Sequence, residues 1–446
     1  MKKLFGTDGI RGLAGEFPLD DKTVAVIGAS LAREFRRQVG RNPRFLSGRD
    51  TRESGASIES AFHAGACSEG AVSESAGVIT TPGVAYLTCA FDFDAGVVVS
   101  ASHNPYQDNG IKVFLPSGRK MDEAAERRIE QDIYAAKDAD APAVAVPDTR
   151  RSEFRQAYLD HLIAEANGFS AAGTKIIIDC ANGAASDLAP DLFKGLGGEV
   201  ITLHCDPTGR NINENCGSTH IDGLLARVKA EKADMGIAFD GDADRALFAD
   251  EHGNLVDGDA TLWIMARYLK SHGKLVNSTV IATVMSNIGL EIALRSKGIE
   301  LVRTDVGDKY VLEKLIETGG EIGGEQSGHI IFPELSLVGD GMMTSMLLFR
   351  AIREKGLSLS GAAAGFVRFP QILMNVKVRE KQPFENIPAI ASAADTVRQQ
   401  LDGQGRLLLR YSGTENLARV MIEGKEQTEI ESQARHLVDV IKTSLG

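Results

Sequence analysis

Three stretches decide the fold: RFLSGRDTRESG (residues 44–55), KIIIDCANGAAS (175–186) and TVIATVMSNIGL (279–290). Each opens on a short apolar run, passes through a polar loop of small residues and enters a helical pattern. The helical patterns close at Gly70, near Gly198 and at Gly298, where glycine suits the left-handed residue that ends a helix. A second strand pattern follows each time: AVSESAG (71–77), EVITLH (199–204) and IELVRT (299–304). Strand, loop, helix and strand, repeated three times, predict three α/β units of similar build.

Working outward, each unit adds a third apolar strand that runs into a dense polar motif. These are GVVVSASHNP (96–105), MGIAFDGDADR (235–245) and GEIGGEQSGH (320–329). Ligands of open α/β sheets bind beyond the carboxyl ends of the strands. Three different motifs at one topological position therefore predict one site built from three domains. From Phe369 the grammar changes to QILMNVKVRE, a helical AIASAADTVRQQL, two strands GRLLLRYSGT and LARVMIEG, and an amphipathic helix to Leu445. The expected fold class is α/β: three similar mixed α/β domains sharing a central cleft, plus a smaller C-terminal α+β domain. The expected borders are 1–150, 151–255, 256–368 and 369–446.

Composition sets the frame. A chain of 446 residues, at about 150 per domain, holds several domains. Hydrophobic residues at 43% and charged residues at 25% are globular values, against a fibre or a disordered chain. No apolar run is long enough to span a bilayer, and MKKLFGTDGIRG lacks the apolar core of a secretory signal. Five cysteines, far apart and without a CxxC pair, point to reduced thiols rather than a disulfide scaffold or a zinc site. The expected location is cytoplasmic, with no membrane partner. Lys plus Arg is 49 and Asp plus Glu 61, a formal charge of −12, which disfavours nucleic acid as a partner. Anion binding must come from local clusters of Arg, Lys and backbone N–H groups.

Such clusters exist. Ser102 stands between an apolar strand and a His-Asn-Pro turn, where a serine can act as a nucleophile, carry a phosphoryl group, or bond only its own turn. His103 and Lys112 are proton carriers or phosphate partners for it. The acyl-hydrolase pattern GxSxG is absent. Asp240, Asp242 and Asp244 alternate in DGDADR; carboxylates converging at about 4 Å repel by about 4 kcal/mol per pair, a cost that a divalent cation removes. All-oxygen ligands favour a hard ion, Mg²⁺, and the later glutamate of an EF-hand is missing. Arg245 can hold a carboxylate or phosphate oxygen. A strand ending in DxD also opens phosphatases whose first Asp is the nucleophile, although those continue with Thr or Val where this chain has Asp244. Glu325 and Ser327, flanked by glycines and followed by His329, suit vicinal sugar hydroxyls. Arg410, Ser412, Gly413, Thr414 and Arg419 in RYSGTENLAR are the parts of a phosphate cradle. GFSAAGTK (168–175) is no ATP-binding loop: its Thr-Lys order is reversed and it precedes a strand.

Taken together and in order, FGTDGIRG (5–12), GRDTRESG (48–55), ASHNP, DGDADR, GEQSGH and RYSGTEN resemble the α-D-phosphohexomutase superfamily over the whole chain. Gln326, Asp308 after Val306-Gly307, and Ser100 are similar to its glucosamine-type members rather than to phosphomannomutase/phosphoglucomutase relatives, which stay the alternative. Lys309 stands where arginine is usual, a conservative change. The resemblance implies an isomerase that interconverts glucosamine 6-phosphate and glucosamine 1-phosphate, supplying the amino-sugar nucleotide route to the bacterial cell wall. It implies that Ser102 carries a phosphoryl group and that Mg²⁺ is held by Asp240, Asp242, Asp244 and phosphorylated Ser102. Arg11, Lys112, Arg245 and His329, with His103, surround the transferring group. A glucosamine or glucose 1,6-bisphosphate is primer or intermediate, and it turns over within one site. The partner is a small phosphosugar, and a homodimer is left open. A metal-dependent phosphatase using Asp240 and a non-catalytic phosphosugar-binding protein are the readings from other classes.

Overall fold

The computed structural model describes residues 3–6, 8–136, 150–412 and 416–446. The three repeats become three sheets with one strand order. In the first, Arg44–Arg49 lies between Val72–Val78 and Ala95–Val99, both parallel to it, and Asp108–Phe114 returns antiparallel beside Ala95–Val99. The second repeats this with Lys175–Asp179 between Glu199–Leu203 and Met235–Phe239, and antiparallel Ala246–Ala249 beyond. In the third, Thr279–Thr283 neighbours Glu300–Thr304 and runs parallel to Gly323–Gly324, which Ile330–Ile331 meets antiparallel. Each polar motif is thus the connection between the third and fourth strands of its sheet. The first sheet also gains Gly9–Leu13 and Phe5–Gly6 beyond Asp108–Phe114.

Local chemistry explains the helices between the strands. Asp20 caps Asp21–Val39 by accepting from Thr23 N at 3.0 Å, and left-handed Gly40 closes it. Thr80, with Pro82 in the first turn, starts Thr81–Ala90. The helices that follow the first strands are Gly55–Ser68, Leu188–Gly195 and Ile288–Arg295; Gly70, Gly197 and Gly298 lie just past them at positive φ. The strands feeding the motifs are apolar and sealed: Val97, Val98 and Val99, like Ile237, Ala238 and Phe239, have no exposed surface. A polar loop at the end of such a strand is anchored on a rigid, dry base.

The chain divides into two compact units, residues 1–284 with 302–363, and residues 285–301 with 364–446. The second has its own sheet, Gln371–Lys377, Leu417–Glu423 and Arg406–Tyr411, antiparallel throughout, under helices Pro388–Leu401 and Gln427–Leu445. Val376, Ile390, Val420, Ile422, Leu437 and Ile441 form its core. The helix Ile288–Arg295 groups with this unit: Asn287, its cap, exchanges hydrogen bonds with the backbone of Phe369 at 2.9 and 3.0 Å. The result is the α/β architecture expected, three similar domains and a smaller C-terminal one.

Candidate active site

Asp8, Arg11, His103, Asp244, Arg245, Glu325 and His329 line a cleft of about 400 Å³ in the larger unit, and the buried pairs Ser102–Asp240 and Lys112–Asp242 adjoin these residues. Ser102 is 1% exposed and left-handed at φ 52°, and it donates its hydroxyl to Asp240 Oδ2 at 2.5 Å. The DGDADR loop contains a second non-glycine residue at positive φ, Ala243 at 55°. Backbone of this kind persists only where its surroundings hold it, and such residues gather at functional sites. Gly241 allows the approach of the two loops, because a Cβ there would stand 2.5 Å from the Ser102 carbonyl oxygen.

The three aspartates are buried, and ligand oxygens from all of them lie within 4.8 Å of one another. Burial and the charges of Asp244 and Asp242 push the Asp240 carboxyl well above its usual value. Asp244 goes the other way: burial opposes its charge, but Lys112 and His329 outweigh it and hold the carboxylate well below the usual range. Asp242 Oδ1 and Asp244 Oδ1 are buried without a hydrogen-bond partner. Orphaned carboxylate oxygens facing one point suit a hard divalent cation, so the residues present fit a metal.

Charges alternate around this cluster in a closed ring. Lys112 Nζ reaches Asp242 at 2.8 Å, Asp8 at 2.9 Å and Asp244 at 3.6 Å. His329 Nδ1 lies 3.6 Å from Asp244 and its Nε2 4.0 Å from Asp308. Lys120 joins Asp308 at 2.7 Å to Asp8 at 2.8 Å and so closes the ring. Arg11 pairs with Asp8 at 2.5 Å. Burial works against the charge on Lys112, yet Asp242, Asp8 and Asp244 raise its pKa well above the ordinary lysine value.

The two histidines of the cleft are driven apart. Burial, with Arg245 and Arg11 nearby, lowers His103 to about 4, so it is neutral at pH 7. His329 is also buried, but Asp244 and Asp308 outweigh the desolvation and raise it to about 9, so it is charged. Its ring occupies the space over Gly339, where a Cβ would be 2.5 Å from Nε2.

Of the residues singled out from the sequence, Ser102, Asp240, Asp242, Asp244, Lys112, Arg11, His103, Arg245, Glu325 and His329 come together here. Arg245 donates its backbone N–H to Asp240 Oδ1 at 3.2 Å. Glu325 Oε1 accepts from Gly307 N at 3.1 Å, and the Ser327 hydroxyl is buried without a partner. Lys309 pairs with Glu123 at 3.2 Å and lines a neighbouring cavity instead. Arg410, Ser412 and Arg419 lie in the smaller unit, on the hairpin between Arg406–Tyr411 and Leu417–Glu423. Arg410 stands directly opposite Arg419 in the strand register, and the Arg419 Nε is buried without a partner. Gly413 and Thr414 lie outside the described residues.

Sequence reasoning missed several participants. Thr81 donates its hydroxyl to Asp242 Oδ2 at 2.5 Å. Asp8, Lys120 and Asp308 complete the charge ring, and Lys381 Nζ donates to Ser412 O at 2.7 Å. Asp8 was legible beside Arg11 in FGTDGIRG, and Asp308 stood out only as a subfamily feature after Val306-Gly307; Thr81, Lys120 and Lys381 stand in no motif. All five cysteines are free thiols. A second potential donor group, Asp179, His204 and Cys216, is committed internally: Asp179 already accepts from His204 Nδ1, Gly217 N and Ala181 N at 2.9 to 3.0 Å.

The chain matches the phosphoglucomutase/phosphomannomutase family in four consecutive regions. These are alpha/beta/alpha domain I over residues 2–140, domain II over 156–253, domain III over 257–369 and the C-terminal domain over 373–440. It is 48% identical to a phosphoglucosamine mutase of Solibacter usitatus (strain Ellin6076) over 448 residues, covering 100% of this chain and 99% of that one. It is 46% identical to a phosphoglucosamine mutase of Caldicellulosiruptor bescii over 456 residues, covering both chains completely. Among solved structures, a phosphoglucomutase/phosphomannomutase family protein of Burkholderia thailandensis superposes with a TM-score of 0.79 at 24% identity, over 100% of this chain and 98% of that one. The N-acetylphosphoglucosamine mutase of Aspergillus fumigatus, in complex with GlcNAc-6P and magnesium, does so with a TM-score of 0.69 at 18% identity, over 99% and 96%. At these identities the likeness in structure is one of fold.

Proposed function

The chain belongs to the phosphoglucomutase/phosphomannomutase family, and on that premise we propose that it is an isomerase interconverting glucosamine 6-phosphate and glucosamine 1-phosphate. Full-length relatedness at 42–48% to phosphoglucosamine mutases supports the sugar. The observation that carries the chemistry is the Ser102 hydroxyl, 2.5 Å from Asp240 and enclosed by a buried aspartate cluster.

Ser102 is the phosphoryl carrier. In the first transfer the P–Oγ bond to Ser102 breaks and a bond forms between phosphorus and the free sugar hydroxyl, giving the 1,6-bisphosphate. The bisphosphate turns around, and its other phosphoryl group returns to the Ser102 oxygen as its P–O bond to the sugar breaks, releasing glucosamine 1-phosphate. Phosphoryl transfer needs positioning and charge neutralisation more than covalent help. Asp240, Asp242 and Asp244, with an oxygen of phosphorylated Ser102, would hold Mg²⁺, which would neutralise the developing charge there. Lys112 and Arg245 donate to the phosphoryl oxygens, with Arg11 beside them. His329, charged at neutral pH, stabilises negative charge on the same group. His103, neutral and with Nδ1 3.4 Å from the Ser102 hydroxyl, relays the proton lost by the attacking sugar hydroxyl to the Ser102 oxygen that the phosphoryl group leaves.

Glu325 and Ser327 read the sugar hydroxyls. Arg410, Ser412 and Arg419 grip the phosphate that is not being transferred. Two arginines facing each other across adjacent strands repel, and an anion between them relieves the repulsion. A grip on the distant phosphate and a separate reaction centre allow the sugar to bind in either direction. The same reading assigns the reaction to the cytoplasm. The deciding experiment is a coupled assay on glucosamine 6-phosphate, run beside glucose and mannose 6-phosphates. Turnover that prefers the amino sugar supports the reading; release of inorganic phosphate in place of isomer would make the protein a phosphatase.

A further inference from the structure

Arg52 is 1% exposed and, after Trp263, the largest of the fully buried side chains, yet the reaction described above does not use it. All five of its N–H donors are engaged. The Nε donates to Asp50 Oδ2 at 2.9 Å, Nη1 to the carbonyls of Pro105 and, at 3.1 Å, Asp108, and Nη2 to the carbonyls of Ser102 at 2.9 Å and Asn104 at 2.8 Å. Asn213 arrives from the second domain and donates Nδ2 to the same two carbonyls, Ser102 at 2.9 Å and Asn104 at 3.0 Å. Both oxygens therefore accept twice. The opposite side of Ser102 is tied to the same pair: its N–H donates to Ser100 Oγ at 2.9 Å, and Ser100 Oγ donates to Asp50 Oδ2 at 2.6 Å. Both backbone polar groups of a left-handed serine are thus anchored on one sealed Arg–Asp pair, while its Oγ points away to Asp240.

We propose that Arg52 and Asn213 are positioning residues for phosphoryl transfer: they hold the Ser102 backbone in its left-handed conformation so that Oγ keeps its aim at the aspartate cluster. An L-residue seldom adopts that conformation unaided, and freeing the two carbonyls lets the turn relax and swing Oγ off line. Transfer to a sugar hydroxyl tolerates little of this, because a misplacement of about 1 Å costs about 100-fold. Lysine cannot replace Arg52, since a single ammonium with three donors does not span a fork of five acceptors. The side-chain hydrogen bonds of both residues go to the Ser102 and Asn104 backbone rather than to Oγ, and neither residue is among those lining the cleft.

The inference rests on Ser102 as the phosphoryl carrier, and the experiment separates the two. Phosphorylated protein is mixed with glucosamine 6-phosphate, quenched in time and read by intact mass, with sugar-phosphate affinity by calorimetry and thermal midpoint alongside. Asn213→Ala removes one of the two donors to each carbonyl and leaves the Arg52–Asp50 pair in place. It should fold, bind the sugar phosphate as wild type does, and transfer roughly 10- to 100-fold more slowly. Arg52→Lys should be slower again; where it fails to fold, Asn213→Ala decides alone. Wild-type transfer rates in a folded Asn213→Ala, or a loss confined to affinity, would overturn the positioning role. Wild-type phosphoprotein that never passes its phosphoryl group to the sugar would instead overturn the reading of Ser102.

Discussion

Replacing His329 by glutamine removes a cation from between two carboxylates, and the structure gives its magnitude and sign. His329 Nδ1 lies 3.6 Å from Asp244 and Nε2 4.0 Å from Asp308. Desolvation alone would lower its pKa, but the two carboxylates prevail and raise it to about 9. An unfolded histidine titrates near 6.5, so the rise to about 9 corresponds to about 3 kcal/mol of preference for the charged folded form. Because the folded pKa lies above the unfolded one, this stabilisation is complete below about pH 6.5, declines between there and about 9, and is gone above it. The assay uses metal-free protein. The His329 ring proton, assigned by its absence in His329→Gln, is followed by NMR from pH 5 to 10, and unfolding of both proteins is measured over the same range. The imidazole should titrate near 9, and the stability gap should narrow by about 3 kcal/mol on going from pH 6 to pH 10. An imidazole titrating at or below 6.5, or a gap that does not change with pH, would refute the reasoning.

Ser102→Ala should abolish turnover while sugar-phosphate binding persists, and intact mass should show a phosphoryl adduct on part of the wild-type protein and on none of the variant; a normal rate in the variant rules out the carrier role. Chelation should remove activity and Mg²⁺ restore it, with Zn²⁺ a poor substitute, and Asp242→Asn should weaken Mg²⁺ binding, read by calorimetry, together with the rate. Full activity after exhaustive chelation contradicts the metal assignment. Arg410→Ala or Arg419→Ala should raise KM and lower kcat/KM by roughly 10- to 150-fold, the range for a charge-assisted hydrogen bond. Those variants should keep Ser102 phosphorylation and release bisphosphate, so added glucose 1,6-bisphosphate should help them more than wild type. Unchanged KM with no released bisphosphate would leave the hairpin a structural turn.

The three α/β units and the C-terminal domain were legible because their signals are local. Apolar runs, glycine stops at Gly70 and Gly298, and the change of grammar at Phe369 all sit within windows of a few turns or strands. Ser102 and the aspartates were legible because their chemistry is dense in sequence, three carboxylates within five residues. What surrounds them was not. Thr81 reaches Asp242 across 161 positions, Asn213 reaches Ser102 across 111, and Lys120 reaches Asp308 across 188. Nothing in the neighbours of Thr81 or Asn213 marks them, because their roles exist only once two loops are brought together. Arg52 shows the same limit inside a motif: GRDTRESG displays the arginine, but only the buried Arg–Asp pair under Ser102 reveals what it holds. The clearest division is between His103 and His329. As sequence they are the same side chain beside a polar motif, with the same intrinsic pKa. Folding sets burial and two arginines against His103 and two carboxylates around His329, and so leaves one neutral and the other charged. The chain determined which groups are present; their charges depend on distances to residues remote in sequence, and those only the tertiary structure decided.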